Sequence, residues 1–252
     1  MLTAITTEFV FQFMLIFARI GAAFSMFPAL SDRNIFMRGR LACALAVSFV
    51  LYPLIKPYLP KYSENFSILV GLLVIELMVG VIISIGAKIY FWSLHTVGQI
   101  ISMQSGLGAA SFFDPTQRSQ VAIFTSFLFI ITTTAIFITN THYLFIQGVI
   151  DSYQSFPPGE WPEISDISQF VTYVINDSFI LAFKISSPFL VISLAMLVGS
   201  GVLARLMPNL QVFFVITPAQ ILVIFGTLYI VINVLVNKVV DAISSTINLS
   251  LV

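Results

Sequence analysis

FSILVGLLVIELMVGVIISIGAKIYFW, residues 66–92, holds two charged residues, Glu76 and Lys88, and is otherwise apolar, small or aromatic. A membrane-crossing helix needs about 20 consecutive, mostly apolar residues. This run is continuous and does not alternate, so it reads as a helix and not as a barrel strand. Five further regions follow the same rule: Phe9–Leu30, Leu41–Tyr58, Val121–Ile150, Phe170–Ala204 and Leu210–Val236. The second is short and contains Pro53, which suits a tilted or partly re-entrant segment. The fifth is long and contains Pro188, which lacks a backbone donor and predicts a kink. The expected fold is therefore all-α: an integral membrane helical protein with about six long hydrophobic helices, in a single membrane-embedded domain over residues 1–252.

Composition supports this reading. The 252 residues are 58% hydrophobic and only 9% charged, against about 25% charged in a soluble domain. The mean hydropathy is +1.02. Net charge is zero and no basic cluster is present, so nothing points to nucleic acid. Cys43 is the only cysteine, which excludes an intrachain disulfide and reads as a small hydrophobe in an apolar run. The first apolar stretch has no basic n-region and is interrupted by Arg19, so it is expected to be a retained span and not a signal peptide.

Basic residues set the orientation. Arg33, Arg38 and Arg40 lie in the 31–40 connection, Arg118 in the 92–120 connection and Arg205 in the 204–209 connection. The 151–168 connection has Asp151, Glu160, Glu163 and Asp166 but no Lys or Arg. The positive-inside rule then puts the arginines in the cytoplasm and both ends outside, with Lys56 and Lys61 on the minority side. Trp161 with Pro157, Pro158 and Pro162 suits a stiff interfacial turn.

Arg19, Glu76, Asp177 and Lys184 lie deep inside apolar runs, where an unpaired charge costs a few kcal/mol or more. Asp177 and Lys184 are two helical turns apart and share a face, about 10 Å apart by helical rise. Such charges fit either a water-lined path or proton relay, or helices packed on other protein that supplies counter-charges. So many buried charges in one chain suit a part of a larger assembly, with these four residues available for subunit pairing. His95, Gln99 and Ser102 follow at i, i+4 and i+7, an uncharged polar stripe that leads to Gln104. The stripe fits a wet lumen or a hydrogen-bonded neighbour equally.

The segment QSGLGAASFFDP, 104–115, joins glycines to adjacent phenylalanines and then Asp-Pro. It is too flexible for a helix core and too apolar for an ordinary wet loop. Asp114 and Pro115 suit the N-cap and first position of a following helix. No catalytic constellation accompanies these features. With two histidines there is no HExxH metal site, and no GxSxG, P-loop or GxGxxG appears. No enzyme, metal or cofactor is expected.

Three blocks carry a resemblance: ARIGAAFSMFPALSDRNIFMRGRLACALAVSF (18–49), GLGAASFFDPTQRSQVAIFTSFLFIITTTAIFITNTHYLFIQGVIDSYQSFPPG (106–159) and ARLMPNLQVFFVITPAQILVIFGTLYIV (204–231). In their order and spacing they resemble the FliR family of flagellar type III export-gate proteins and its virulence-secretion counterparts. Two departures stand out: Asn140-Thr141-His142 where the family commonly has Asn-Gly-His, and Thr217-Pro218 where Gly commonly precedes the proline.

The resemblance implies a non-enzymatic subunit whose helices form hairpins within a larger helical assembly that leaves the bilayer plane. It implies FliP-like and FliQ-like membrane subunits as partners, an FlhB-like export switch protein, and exported unfolded chains as cargo. It implies a place in the bacterial inner membrane at the flagellar basal body. It also implies that residues 106–115 plug the closed pore. Leu107, Phe112 and Phe113 would dewet the constriction, and Gly106 and Gly108 would let the loop swing. His95, Gln99, Ser102 and Gln104 are then candidates to line the pore. From a different class, a small secondary transporter or ion channel would use Glu76, Asp177 and Lys184 as coupling groups, with breaks at Pro188 and Pro218.

Overall fold

The computed structural model describes residues 2–31, 36–62, 65–106, 123–207 and 211–249. The described residues form an all-α structure without strands. Helix α1 is Leu2–Met26, α2 is Pro28–Ser31 and α3 is Met37–Ile55, which ends in a 3-10 turn over Lys56–Tyr58. Then come α4 (Phe66–Gln104), α5 (Ile123–Ile138), α6 (Thr141–Ser155), α7 (Ile164–Leu206) and α8 (Val212–Leu249). Five helices are long and apolar enough to cross a membrane, or six segments if α5 and α6 count as one bent span.

The expected single span over Val121–Ile150 is broken. Helices α5 and α6 meet at 70°. Asn140 sits at the corner in the left-handed region, at φ 59° and ψ 17°, so the helical hydrogen-bond ladder stops there. Thr139 and Thr141 share a hydroxyl–hydroxyl hydrogen bond of 2.8 Å across the turn. Apolar periodicity on both sides hid the break, because the run of Thr and Asn is short. Asn tolerates the left-handed region, whereas a β-branched side chain does not. Asn140→Val is therefore expected to cost about 1–2 kcal/mol, and Asn140→Gly to be neutral or slightly stabilising. Detergent-to-SDS unfolding of the chain, purified with the subunits it assembles with, reads both; equal responses would show that the corner is not set by Asn140.

Three helices run longer than expected. Helix α4 continues past Trp92 to Gln104, α7 starts at Ile164, and α8 continues past Val236 to Leu249. Their 38–43 residues correspond to about 57–65 Å, roughly twice the hydrocarbon thickness of a bilayer. Helix α7 passes Pro188 without a break. Pro188 cannot donate to the carbonyl of Lys184, and the Ser187 hydroxyl donates to that carbonyl instead, at 2.8 Å.

Packing divides the chain into two compact units: residues 1–90, 136–175 and 241–252, and residues 91–135 and 176–240. In the first, α1 packs on α3, the first part of α4, and α6. Leu15, Ile16, Ile20, Phe27, Ile83 and Phe145 are buried, and the Phe27 and Phe145 rings stack at 4.0 Å. In the second, Leu94, Val97, Phe124, Leu128, Phe189 and Ile224 form the core, and Phe91 stacks on Phe129 at 4.8 Å.

Candidate functional site

In the first unit, a seam of small and polar residues on α4 meets α1. Glu76, Gly80 and Ser84 recur every four residues and so lie on one face. A Cβ at Gly80 would collide with the Arg19 carbonyl oxygen and the Ala22 methyl, so the glycine is what lets the two backbones approach. The Ser84 hydroxyl donates to the Ala23 carbonyl at 3.0 Å. At the start of this seam, Glu76 meets Arg19.

Both residues are fully buried. Arg19 Nε donates to Glu76 Oε2 at 2.6 Å, and Nη2 donates to Oε1 at 3.0 Å, a bidentate fork. Nη1 donates to Ser152 Oγ at 3.1 Å, and Nη2 also donates to the Phe156 carbonyl at 3.0 Å. The guanidinium carbon lies 3.8 Å from the centroid of the Tyr153 ring. Ser152 Oγ donates in turn to the Val149 carbonyl at 2.6 Å. The arginine thus ties α1 and α4 to the C-terminal end of α6, where a helix presents unpaired carbonyls and a negative dipole end. The Tyr153 hydroxyl is buried without a hydrogen-bond partner among the described residues.

In the second unit, the end of α4 borders a cleft of about 380 Å³. Gln104, Ser193, Ser200, Gly201, Thr217 and Gln220 contribute to its lining, and none of the described lining residues is ionisable. Gln220 Nε2 donates to the Gln104 carbonyl, which anchors the last turn of α4 to α8. Gly106 follows at φ 75°, the left-handed glycine that closes a helix. The cleft offers neutral hydrogen-bonding groups on an apolar floor, without an acid–base pair or an activated nucleophile among the described residues.

The expected site residues are distributed as follows. Arg19 and Glu76 stood as charges for a polar path or for pairing with other protein; in the structure they pair with each other. Their separation of 57 positions left nothing in the spacing to announce the pair, and the Ser152 and Phe156 contacts carried no signal at all. Asp177 is half-buried and Lys184 is exposed, both on α7. Along the polar stripe, His95 is exposed, Gln99 is half-buried, and Ser102 is buried with no hydrogen-bond partner among the described residues. Gln104 lines the cleft and Gly106 ends α4. Leu107, Gly108, Phe112, Phe113, Asp114 and Pro115 lie outside the described residues, as do Arg33 and Arg118.

Comparison with known proteins gives a consistent picture. The family described as bacterial export proteins, family 1, matches over residues 10–246. The flagellar biosynthetic protein FliR of Caulobacter vibrioides is 30% identical over 222 residues, which is 88% of each chain. The protein of the same name from Bacillus subtilis is 27% identical, over 93% of this chain and 91% of its own. The Yop proteins translocation protein T of Yersinia pestis is 27% identical, over 82% of this chain and 80% of its own.

Proposed function

Because the chain belongs to the family of bacterial export proteins, family 1, we propose that it is a non-enzymatic subunit of the flagellar protein export gate. It acts as one membrane-embedded domain over residues 1–252, in the bacterial inner membrane at the flagellar basal body. With FliP-like and FliQ-like subunits it forms the channel for unfolded flagellar proteins, and an FlhB-like switch protein works beside it. The observation that carries this reading is the family match over residues 10–246, which takes in nearly all the membrane-length helices. The similarity to flagellar relatives over most of their own length supports the flagellar assignment. The Yersinia relative makes the virulence-secretion counterpart the second reading.

The two sites take different parts. The Arg19–Glu76 cluster fixes three helices together and is structural. The end of α4, with its neutral cleft and the glycine stop at Gly106, suits the mouth of a conduit that must pass many sequences without binding any. Residues 106–115 then serve as the plug: Leu107, Phe112 and Phe113 exclude water from the closed constriction.

Co-expression with the FliP-like and FliQ-like subunits tests the assembly. Expressed alone the chain is expected to be unstable, and together the three are expected to copurify as one complex. A monodisperse, solitary protein would instead favour the transporter class. Deleting residues 106–111 is expected to preserve the complex and raise ion conductance of membranes that contain it. Unchanged conductance in a fully assembled variant would make the segment a connector.

A further inference from the structure

We propose that the buried cluster around Arg19 encloses one water molecule, sealed from bulk solvent and held between the Nη1 edge of the Arg19 guanidinium and the Tyr153 hydroxyl. All the residues involved belong to the first packing unit, and this water site does not depend on the export reading.

A guanidinium carries five N–H donors, and each needs an acceptor once solvent is excluded. Arg19 is fully buried. Four of its donors are engaged: Nε on Glu76 Oε2, one Nη1 hydrogen on Ser152 Oγ, and the two Nη2 hydrogens on Glu76 Oε1 and the Phe156 carbonyl. The second Nη1 hydrogen has no acceptor among the described residues. Tyr153 is 1% exposed, and its hydroxyl has no partner among them either.

These two groups are neighbours. The guanidinium carbon lies 3.8 Å from the centroid of the Tyr153 ring, and the hydroxyl is carried on the rim of that ring. The attraction between a cation and a ring face needs no hydroxyl, since phenylalanine also supplies it. Stacking therefore does not explain why a tyrosine stands here. A water between the two polar groups satisfies both at a separation that a direct hydrogen bond does not span.

The chemistry of the cluster selects the occupant. The Arg19, Glu76, Ser152 and Tyr153 side chains are buried, so whatever joins them is small. The Arg19–Glu76 pair is neutral as a whole, so an added ion of either sign would leave a net charge in the core, at a high desolvation cost. A neutral molecule is required that accepts from an N–H and an O–H and donates in return. Water does so. Its oxygen accepts from Arg19 Nη1 and from Tyr153, and its hydrogens have acceptors to spare. Each Glu76 oxygen receives one hydrogen bond among the described residues, whereas a carboxylate can accept about four in all. The water then has the two to four polar partners typical of buried water. Through it Tyr153 ties the free edge of the guanidinium to α6, beside the direct bond to Ser152.

The test is an electron cryo-microscopy map of the chain in the assembly in which it is purified, at a resolution that shows ordered water. One peak should lie within about 3.2 Å of both Arg19 Nη1 and Tyr153 Oη. Detergent-to-SDS unfolding of the same assembly supplies an independent sign. If the hydroxyl holds a water, Tyr153→Phe should raise the unfolded-to-folded ratio of the chain at a fixed SDS fraction by about threefold or more. If the hydroxyl is dry and unpaired, its removal should leave that ratio unchanged or lower it, because phenylalanine lacks the cost of a buried polar group without a partner. Should Tyr153→Phe fail to assemble, the map of the parent decides alone. No peak at the site, a peak that reaches only one of the two groups, or a Tyr153→Phe variant at least as stable as the parent would each overturn the proposal.

Discussion

Arg19→Leu is expected to destabilise the chain by about 3–5 kcal/mol, because it leaves Glu76 charged and buried without a partner. Glu76→Leu should cost a similar amount for the mirror reason. The double variant Arg19→Leu/Glu76→Leu should recover most of the loss, since well-packed apolar side chains often replace a buried ion pair without net cost. Arg19→Lys should behave more like Leu than like Arg. A single ammonium cannot hold both oxygens of Glu76 and also reach Ser152 and the Phe156 carbonyl, as the guanidinium does. Unfolding of this chain within the copurified complex, on transfer from mild detergent to SDS, measures all four variants. Single-variant losses under about 1 kcal/mol, the range of exposed pairs, would mean that the cluster is hydrated and does not hold α6 in place.

The second large effect concerns two glycines. Gly80→Ala and Gly98→Ala are each expected to destabilise by about 1–3 kcal/mol, the usual range for overpacking, with reduced assembly. At Gly98 the added Cβ would run into the Thr125 backbone, and at Gly80 into the Arg19 carbonyl. Backbone atoms cannot rotate away as a side-chain tip can, so the paired helices must separate. Gly226→Ala is the control: nothing stands within 4 Å of its Cβ position, so it should show only the gain in helix propensity, up to about 1 kcal/mol. If Gly98→Ala matches Gly226→Ala in stability, the α4–α5 contact is looser than described.

Length and apolarity were enough to read the number of membrane-length segments, because a 20-residue apolar run has few alternatives. They could not place helix ends. The apolar run stops at Trp92, yet the stripe His95, Gln99, Ser102 beyond it already has helical spacing, and the same hydrogen-bond ladder carries α4 through it to Gln104. The break at Asn140 was invisible for the opposite reason, since apolar residues resume at once on both sides. Pro188 invited a kink, but a neighbouring hydroxyl serves the carbonyl that the proline leaves open.

The site was legible only as a set of residue types. Arg19 and Glu76 were conspicuous as charges in apolar runs. Their mutual pairing depends on how α1 and α4 are brought together, and only Gly80 and Ser84, which follow Glu76 at four-residue steps, hinted at a close seam. Lys184 was equally conspicuous, and it lies exposed on α7.

The claim that this chain is an export-gate subunit is tested most directly by the amount of flagellar filament protein released into the medium by a strain that lacks it. Removal should reduce release to background while proteins that leave by other routes are unaffected, and restoring the parent sequence should restore release. Undiminished release of flagellar protein from the strain without the chain would contradict the assignment.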